Sequence, residues 1–405
     1  MTKERGGSEY PEASAENTAP GALDGIRVLE LSTVVMGPYA AQVLGDLGAD
    51  VIKVETGKGD MNRFMGGGPP GMSGISLTVN RNKRSVRLDL KKPEGREAFL
   101  RILDTCDVFV TNVRPGALKR LGLDYETVGP SRPRLVYLQA AGFRTGTDEE
   151  NRPAYDDIIQ ASTGLPRLSE VTVGKTAFLP TIMGDKVAGM TVLSAALAAL
   201  LRRERTGRGQ RVEVAMFDAV MAFNLTEHLS RAAIPGGEAG YSRIMTGTRG
   251  PHQTADGFVA MMPYSDKDWA YLFTLAGKPE MMKKPYLQSH AARLLRAEEA
   301  YGALAEIVIE RTTDEWLRIC AEADIPVNPV PSLGEIVADE KLHRGMITMR
   351  EHPVIGPYRS VRPGIIFDES PMSIRRHAPM LGENTEEVLA EVGYDEEEIE
   401  RITWG

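Results

Sequence analysis

Short apolar runs alternate with helical periodicity through the first half of the chain. Strands are predicted at Arg27–Leu31, Val51–Val54, Ser85–Leu88, Val108–Val113, Leu135–Leu138 and Arg211–Val214. Between them, apolar residues recur three and four positions apart, as at Phe99, Ile102 and Leu103, which is typical of a helix with one buried face. The alternation predicts an α/β fold with a parallel sheet covered by helices on both faces. Such sheets bind ligands at the carboxyl ends of their strands.

The chain has 405 residues, a length that favours two domains. A long Ala- and Leu-rich helix is predicted over Lys186–Arg203. The predicted layout is a disordered tail at 1–21, the first part of a large domain at 22–232, a linker at 233–243, a small domain at 244–345, a second linker at 346–378 and C-terminal helices at 379–405.

Composition excludes several classes of site and protein. A net charge of -8 argues against general nucleic-acid binding, and two cysteines with six scattered histidines argue against a metal site. No run of about 18 consecutive apolar residues is present, which argues against a membrane span. Because the first 20 residues lack the features of a secretory signal or a transit peptide, a cytoplasmic location is expected.

Seven ordered blocks of sequence together resemble the class III CoA-transferases, which include formyl-CoA transferase, carnitine CoA-transferase and the related α-methylacyl-CoA racemase. The blocks cover nearly all of the chain from Leu23 onward. They are LDGIRVLELSTVVMGPYAAQVLGDLGADVIKVE (Leu23–Glu55), NRNKRSVRLDLKKPEG (Asn80–Gly95), NVRPGALKRLGL (Asn112–Leu123), AYDDIIQASTG (Ala154–Gly164), MGDKVAGM (Met183–Met190), TGRGQRVEVAMFDAV (Thr206–Val220) and MLGENTEEVL (Met380–Leu389).

The resemblance implies a Rossmann-like large domain built from both ends of the chain, a smaller inserted α+β domain and an interlocked homodimer. It implies that coenzyme A passes from an acyl-CoA donor to a carboxylic acid, with no permanently bound cofactor. Asp185, within MGDKVAGM, matches the family's nucleophilic aspartate. A carboxylate before an Ala-rich helix is usually an N-cap, and the helix dipole would also hold it ionised for covalent catalysis.

Tyr155 and Asp156 occupy the position at which the racemases carry His-Asp. A racemase needs an acid and a base on opposite faces of the α-carbon, so the loss of the histidine favours the transferase. Asp156 corresponds to an acidic position near the nucleophile of the transferases. A 2-methylacyl-CoA racemase or epimerase and a non-catalytic CoA-binding protein remain alternative interpretations.

Basic residues crowd two short segments of this acidic chain, and Arg and Lys suit the phosphates of coenzyme A. They are Arg81, Lys83, Arg84, Lys91, Lys92, Arg114, Lys119 and Arg120. A solvated face is the alternative interpretation for any one of them. By resemblance, the CoA-binding residues are Val35, Met36, Leu88, Lys91, Asn112, Val113, Arg114, Arg120 and, more weakly, Arg152.

Two departures from formyl-CoA transferase bear on the substrate. Val35 stands where that enzyme has Gln, and the second domain lacks its tetraglycine loop. GGGPPG at Gly66–Gly71 is Gly-rich but lies in a different segment. These departures argue against formate or oxalate, and Val35 suggests a larger or more apolar acid.

Overall fold

The structure, a computed structural model, describes residues 19–404. The predicted tail at 1–21 therefore lies mostly outside the described residues. The strands are β1 (Arg27–Leu31), β2 (Asp50–Glu55), β3 (Lys83–Arg87), β4 (Val108–Thr111), β5 (Val136–Ala141), β6 (Gln210–Ala215), β7 (His252–Gln253), β8 (Phe258–Met261), β9 (Val327–Pro329), β10 (Ile347–His352) and β11 (Gly356–Val361).

Helices follow most of these strands. They are α1 (Met36–Asp46), α2 (Gly74–Val79), α3 (Pro93–Asp104), α4 (Pro115–Leu121), α5 (Tyr125–Val128), α6 (Asp156–Ser162), α7 (Leu165–Val173), α8 (Met183–Thr206), α9 (Met216–His228), α10 (Asp266–Leu275), α11 (His290–Leu295), α12 (Ala297–Val308), α13 (Thr313–Glu322), α14 (Leu333–Ala338), α15 (Glu340–His343), α16 (Thr385–Glu391) and α17 (Glu396–Trp404). Short 3-10 helices cover Met61–Phe64, Ser230–Ala233 and Pro279–Lys283.

The chain divides into two compact units. Unit 1 takes the described residues of Met1–Ile159, Ile182–Met221 and His343–Gly405, and unit 2 takes Gln160–Thr181 and Ala222–Leu342. Unit 2 therefore contains most of the predicted small domain together with 160–181 and 222–243. The segment predicted as a second linker, 346–378, contains the antiparallel hairpin of β10 and β11.

Unit 1 is built on a six-stranded sheet in the order β3-β2-β1-β4-β5-β6, and every neighbouring pair is parallel. The predicted α/β fold with a parallel sheet is confirmed. Strands β4 and β5 are buried along their whole length, as expected for a sheet covered on both faces. The chain leaves β1 toward β2 on one side and reaches β4 on the other, so a crevice opens at the carboxyl ends of β1 and β4.

Different helices cover the two faces of this sheet. One face forms a core with α3, α16 and α17 that includes Phe99, Phe109, Tyr137, Val388 and Leu389. On the other face α8 packs against α1, β5 and β6. Helix α8 is long and apolar enough, by length and composition alone, to cross a membrane, but half of its most apolar window is buried within the protein, as in a core helix.

The strands of unit 1 also bury charged side chains. Glu30 of β1 pairs in register with Lys53 of β2, and both are fully buried. Lys83 of β3 is buried as well, and its Nζ lies 2.7 Å from Oε2 of Glu30. A buried ion is tolerated only when it has close partners, and these three side chains supply one another with partners.

Unit 2 has its own core. Its sheet has the order β7-β8-β9 with antiparallel pairs, and the core includes Trp269, Phe273, Leu304 and Trp316. The indole of Trp269 donates to the carbonyl of Pro263, and that of Trp316 to the carbonyl of Val308. Both tryptophans are therefore core residues with satisfied N–H groups.

Candidate active site

Asp185 lies in the first turn of α8 and is 7% exposed. Helix α8 begins at Met183, three residues before the predicted start, so Asp185 is inside the helix and does not act as its N-cap. Its Oδ1 accepts a hydrogen bond of 3.1 Å from the backbone N–H of Met36, the first residue of α1. The N-termini of two helices therefore converge on one carboxylate, and both helix dipoles favour its ionised form.

Burial is the strongest influence on the titration of this carboxylate. Desolvation and the nearby charge of Asp156 raise the pKa of Asp185 to about 6, against the lowering effect of the Met36 N–H. The helix N-terminus was expected to favour the ionised form, but burial outweighs it and the pKa is raised. At neutral pH the carboxylate is mostly ionised and poorly solvated, which suits a nucleophile.

Tyr155 precedes α6 and Asp156 begins it, close to Asp185. The carboxylate of Asp156 is buried and accepts a 2.6 Å hydrogen bond from the N–H of Gly184, the residue before Asp185. A Cβ on Gly184 would come within 3.1 Å of Asp156 Oδ1 and 3.3 Å of Met216 Sδ. Gly184 therefore lets the two acidic residues approach each other. Tyr155 is 56% exposed and lines the same cavity as Asp185.

Three adjoining cavities follow the carboxyl edge of the sheet in unit 1. The Asp185 cavity, about 250 Å³, is lined by Thr33, Val34, Asn112, Val113, Arg114, Pro115, Ala141, Gly142, Glu150, Arg152, Ala154, Tyr155, Asp185 and Met216. It shares Thr33 and Val113 with a middle cavity of about 240 Å³. The middle cavity shares Leu90, Lys91 and Leu121 with a third cavity of about 750 Å³.

The third cavity, called here the basic cavity, is rich in cationic side chains. It is lined by Leu90, Lys91, Lys92, Pro93, Arg96, Ala117, Lys119, Arg120, Leu121 and Gly122. No acidic residue stands in this lining. Its charge and its volume suit a phosphorylated ligand of considerable size.

The sequence comparisons agree with one family. The sequence profile of CoA-transferase family III matches residues 23–385. The chain belongs to CoA-transferase family III. CoA-transferases use CoA thioesters as substrates, and membership of the family supports a transferase of acyl-CoA metabolism.

Two relatives match over almost their whole length. The succinyl-CoA:glutarate CoA-transferase of Mus musculus is 31% identical over 401 residues, which cover 97% of this chain and 91% of that protein. The formyl-CoA:oxalate CoA-transferase of Afipia carboxidovorans is 32% identical over 403 residues, which cover 92% of this chain and 93% of that protein.

Solved structures agree on the fold. A CaiB/BaiF family protein from Brucella suis has a TM-score of 0.78 and 28% identity, with 92% of this chain and 100% of that chain covered. The hypothetical protein Rv3272 from Mycobacterium tuberculosis has a TM-score of 0.77 and 27% identity, with 91% and 99% covered.

Most of the CoA-binding residues that family resemblance predicted lie at these cavities. Asn112, Val113, Arg114 and Arg152 line the Asp185 cavity, Lys91 lines the other two, and Arg120 lines the basic cavity. Arg152 also pairs with Glu149 at 2.5 Å. Asn112 has a structural task as well, because its amide bonds both the N–H and the carbonyl of Thr33.

Three of the predicted CoA-binding residues, Val35, Met36 and Leu88, do not line any of the three cavities. The side chains of Val35 and Met36 are buried, and Thr33 and Val34 line the Asp185 cavity in their place. Met36 reaches the site through its backbone N–H. Leu88 and Leu90 both belong to the core that the sheet forms with α3, α16 and α17, and Leu90 also lines two of the cavities, whereas Leu88 lines none of the three.

Three members of the predicted basic cluster are committed elsewhere. Arg81 pairs with Asp46, Lys83 with Glu30, and Arg84 with Asp50, at 2.6 to 2.7 Å. They are neither phosphate ligands nor part of a solvated face, because the sheet and α1 bury them. The remaining five of the eight stand at the three cavities.

Several residues at the site could not be recognised from sequence patterns. Val34 has a φ of 68°, in the left-handed region that β-branched residues avoid. Asp60 contacts this loop from another part of the chain.

Within residues 19–404, no group of three or more His, Cys, Asp or Glu could hold a metal ion.

Proposed function

We propose that the protein transfers coenzyme A from an acyl-CoA donor to a carboxylic acid through an aspartyl-CoA thioester on Asp185. One observation carries the proposal: a buried carboxylate faces a cavity that continues, through a middle cavity, to a large basic one. Coenzyme A has the matching form, with phosphates at one end and a thiol at the end of a long arm.

The cavities suggest how the ligand is held. The 3′-phosphate and pyrophosphate would bind in the basic cavity, where Lys91, Lys119 and Arg120 supply cationic donors. The pantetheine arm would follow the middle cavity past Thr33 and Val113, so that the thioester reaches Asp185.

The proposed reaction balances without an external energy source. A carboxylate oxygen of Asp185 attacks the thioester carbonyl, the carbon–sulfur bond breaks, and coenzyme A leaves as the thiolate while a mixed anhydride forms. The thiolate attacks the aspartyl carbonyl and releases the donor acid, which leaves aspartyl-CoA. The acceptor carboxylate attacks this thioester, and the same steps run in reverse onto the new acid.

Several contacts support this role for Asp185. Its burial removes the hydration that would blunt a carboxylate nucleophile, and the Met36 N–H fixes the direction of one oxygen. Asp156 holds the backbone at Gly184 and adds a like charge. Asp156 and Tyr155 are therefore proposed as site residues that orient Asp185 and line the acyl end, respectively.

The relatives suggest which acids to try first. One relative is named for succinyl-CoA and glutarate and another for formyl-CoA and oxalate, so short acids and diacids are the first donors and acceptors to test. The homodimer and the cytoplasmic location expected from the sequence stay predictions.

A trapping experiment tests the proposal. The protein is incubated with succinyl-CoA, glutaryl-CoA, oxalyl-CoA and formyl-CoA in turn, quenched with hydroxylamine, and mapped by peptide mass spectrometry. An aspartyl anhydride or thioester becomes a hydroxamate, which should map to Asp185 and be missing from Asp185→Asn. Asp157→Asn is the matched control, since Asp157 is an exposed carboxylate next to Asp156 and should leave the adduct intact.

The alternatives give different results once a sample with a 2-methylacyl-CoA in deuterated solvent is added to the panel. A racemase would form no adduct and would exchange the α-proton of a 2-methylacyl-CoA with solvent deuterium. A binding protein would do neither, and Asp185→Asn would still bind coenzyme A. The absence of an adduct on Asp185 with every donor would contradict the transferase proposal for the donors tested.

A further inference from the structure

The loop between β1 and α1 holds an unusual backbone conformation. Val34 has a φ of 68°, and a β-branched side chain is strongly disfavoured in this left-handed region. Such a conformation persists only where surrounding contacts impose it. Two residues later, Met36 begins α1 and directs its N–H at Asp185. The conformation of Val34 thus sets the course of the chain toward the site.

Asp60, the N-cap residue of the Met61–Phe64 3-10 helix, hydrogen-bonds to this loop. Its Oδ1 accepts the N–H of Val34 at 2.9 Å and the N–H of Asn62 at 3.1 Å. The side-chain amide of Asn62 donates to the carbonyl of Val34 at 3.1 Å and to Oδ2 of Asp60 at 2.8 Å. Both backbone polar groups of Val34 are therefore held by one short segment.

A buried ion pair fixes Asp60 in turn. Nζ of Lys53 lies 3.0 Å from Oδ2 of Asp60, 2.8 Å from Glu30 and 2.8 Å from the carbonyl of Ser32. Asp60 is 2% exposed and Lys53 is fully buried. Against the effect of burial, Lys53 and Lys83 lower the pKa of Glu30, so Glu30 is ionised at neutral pH. A charged pair buried in this way holds its geometry rigidly.

We propose that Asp60, backed by Lys53, is a positioning residue that holds Val34 in its left-handed conformation and thereby aims the Met36 N–H at Asp185. As a role in catalysis this rests on the function proposed above. As a role in setting the geometry around Asp185 it stands independently of the reaction.

The proposal predicts a change in the titration of Asp185. The Met36 N–H lowers the pKa of this carboxyl group, so its loss should raise that pKa. The other charged groups around Asp185 come from several elements: Asp156 on α6, Lys186 on α8 itself, and Arg114, Glu150 and Arg152 in the cavity wall. All of them are kept in the variants below.

Three variants test the role of Asp60. Asp60→Asn keeps the shape but loses the charge that anchors Lys53, and kcat should fall about tenfold, the effect of one lost hydrogen bond to a charged group, with little change in KM for the acyl-CoA. Val34→Gly combined with Asp60→Asn should recover much of that loss, because glycine adopts positive φ without strain. If Asp60→Asn does not fold, Asn62→Ala, which spares the Asp60–Lys53 pair, should give a smaller loss in the same direction.

Asp46→Asn is the matched control. It removes another buried ion pair of unit 1, to Arg81, at the opposite end of α1 from Met36. It should lower thermal stability without moving the pH profile. The quantity compared is the pH at the midpoint of the activity profile, and Asp60→Asn should move this midpoint above the wild-type value.

A second readout separates this inference from the proposed function. The carboxyl carbon of Asp185 can be titrated by carbon-13 NMR in protein labelled at aspartate, with Asp185→Asn for assignment. A higher Asp185 pKa in Asp60→Asn, reversed by Val34→Gly, would support the positioning role even if no donor forms an adduct. An unchanged Asp185 pKa, or a loss that Val34→Gly does not relieve, would overturn it.

Discussion

Asp185 is held between opposing influences. Burial and Asp156 favour its protonated form, while the Met36 N–H and two helix N-termini favour the carboxylate. The balance leaves its pKa at about 6, above that of an exposed aspartate. A carboxyl group tuned in this way should have visible effects on both rate and stability.

The rate of CoA transfer should depend on the ionisation of Asp185. Because only the carboxylate attacks the thioester, kcat/KM should rise with pH, with a midpoint near pH 6, and level off above pH 7. The measurement is a pH–rate profile with a donor that gives an adduct. A profile already flat from pH 5 upward would contradict the raised pKa.

Asp156→Asn should shift this profile in the opposite sense from Asp60→Asn. The amide can still accept the Gly184 N–H but removes the like charge, so the pKa of Asp185 and the midpoint of the profile should both fall. The same profile, measured side by side with wild type, checks the direction. A midpoint that rose would mean that the charge of Asp156 is not felt at Asp185.

The raised pKa also implies a cost in stability. Between the unfolded pKa near 4 and the folded pKa of about 6, the folded state binds the proton more tightly, so its stability falls as pH rises through this window and stays low above it. Asp185→Asn should therefore stabilise unit 1 by about 1–3 kcal/mol at pH 8 and by almost nothing at pH 4. Chemical denaturation at the two pH values measures this difference, and equal effects at both would contradict it.

Among the elements, α1 and α8 must lie unusually close together. A Cβ on Gly189 of α8 would come within 2.9 Å of the Met36 carbonyl and 3.0 Å of the Tyr39 ring. The absence of a side chain at Gly189 thus lets the start of α1 approach the first turns of α8. The Met36–Asp185 hydrogen bond depends on this approach.

Gly189→Ala should force the two helices apart. Overpacking of this kind costs about 1–3 kcal/mol, and the separation should also weaken the Met36–Asp185 bond and lower kcat. Thermal unfolding and steady-state rates would measure the two effects. Gly74→Ala is the control: it also lies in a helix, but its Cβ would meet nothing within 4 Å, so stability should be unchanged or slightly higher.

The element pattern was predictable because the strands are buried runs and the helices have apolar faces. The strand of Val51–Val54 became Asp50–Glu55, and the long helix of Lys186–Arg203 became Met183–Thr206. The buried charges were not predictable in this way. Glu30 and Lys53 interrupt apolar runs as solvent-facing residues would, and only the register of β1 on β2 reveals that they face each other.

Parts of the site were recognised through family motifs and others could not be. Asp185, Asp156 and the residues after β4 belong to motifs, so their positions were predicted. Leu88 was predicted from its motif, yet it lies in the core beside Leu90, and Leu90 is the one of the two that also lines the cavities. Asp60 was missed because its role depends on a contact with Val34, far away in sequence.

At the scale of the whole molecule, α16 and α17 complete the core of unit 1. Val388 and Leu389 are fully buried against the sheet and α3, and Arg84 of β3 pairs with Glu387 and Glu391. Removing residues 381–405 should leave unit 1 unfolded. The segment buries four apolar side chains, those of Val388, Leu389, Tyr394 and Ile399. At about 1.5–3 kcal/mol each, their summed contribution approaches the whole free energy of unfolding of a domain. Loss of cooperative unfolding by calorimetry or circular dichroism would be the expected observation.

Single substitutions in α16 separate the loss of buried side chains from the shortening of the chain. Leu389→Ala should destabilise unit 1 by about 2–5 kcal/mol and still fold, whereas Glu386→Ala, on the exposed side of the same helix, should change stability by less than about 0.5 kcal/mol. A truncated protein that unfolded as cooperatively as the full chain would contradict the role of these helices.

The discontinuity of unit 1 has a consequence for synthesis. Its sheet strands leave the ribosome before most of unit 2, and α16 and α17, which help to cover one face of the sheet, follow unit 2. Until then the nascent chain carries an uncovered apolar face around Phe99 and Phe109. Such faces promote aggregation, so the nascent chain should depend on chaperones that shield this face until α16 and α17 have been synthesised.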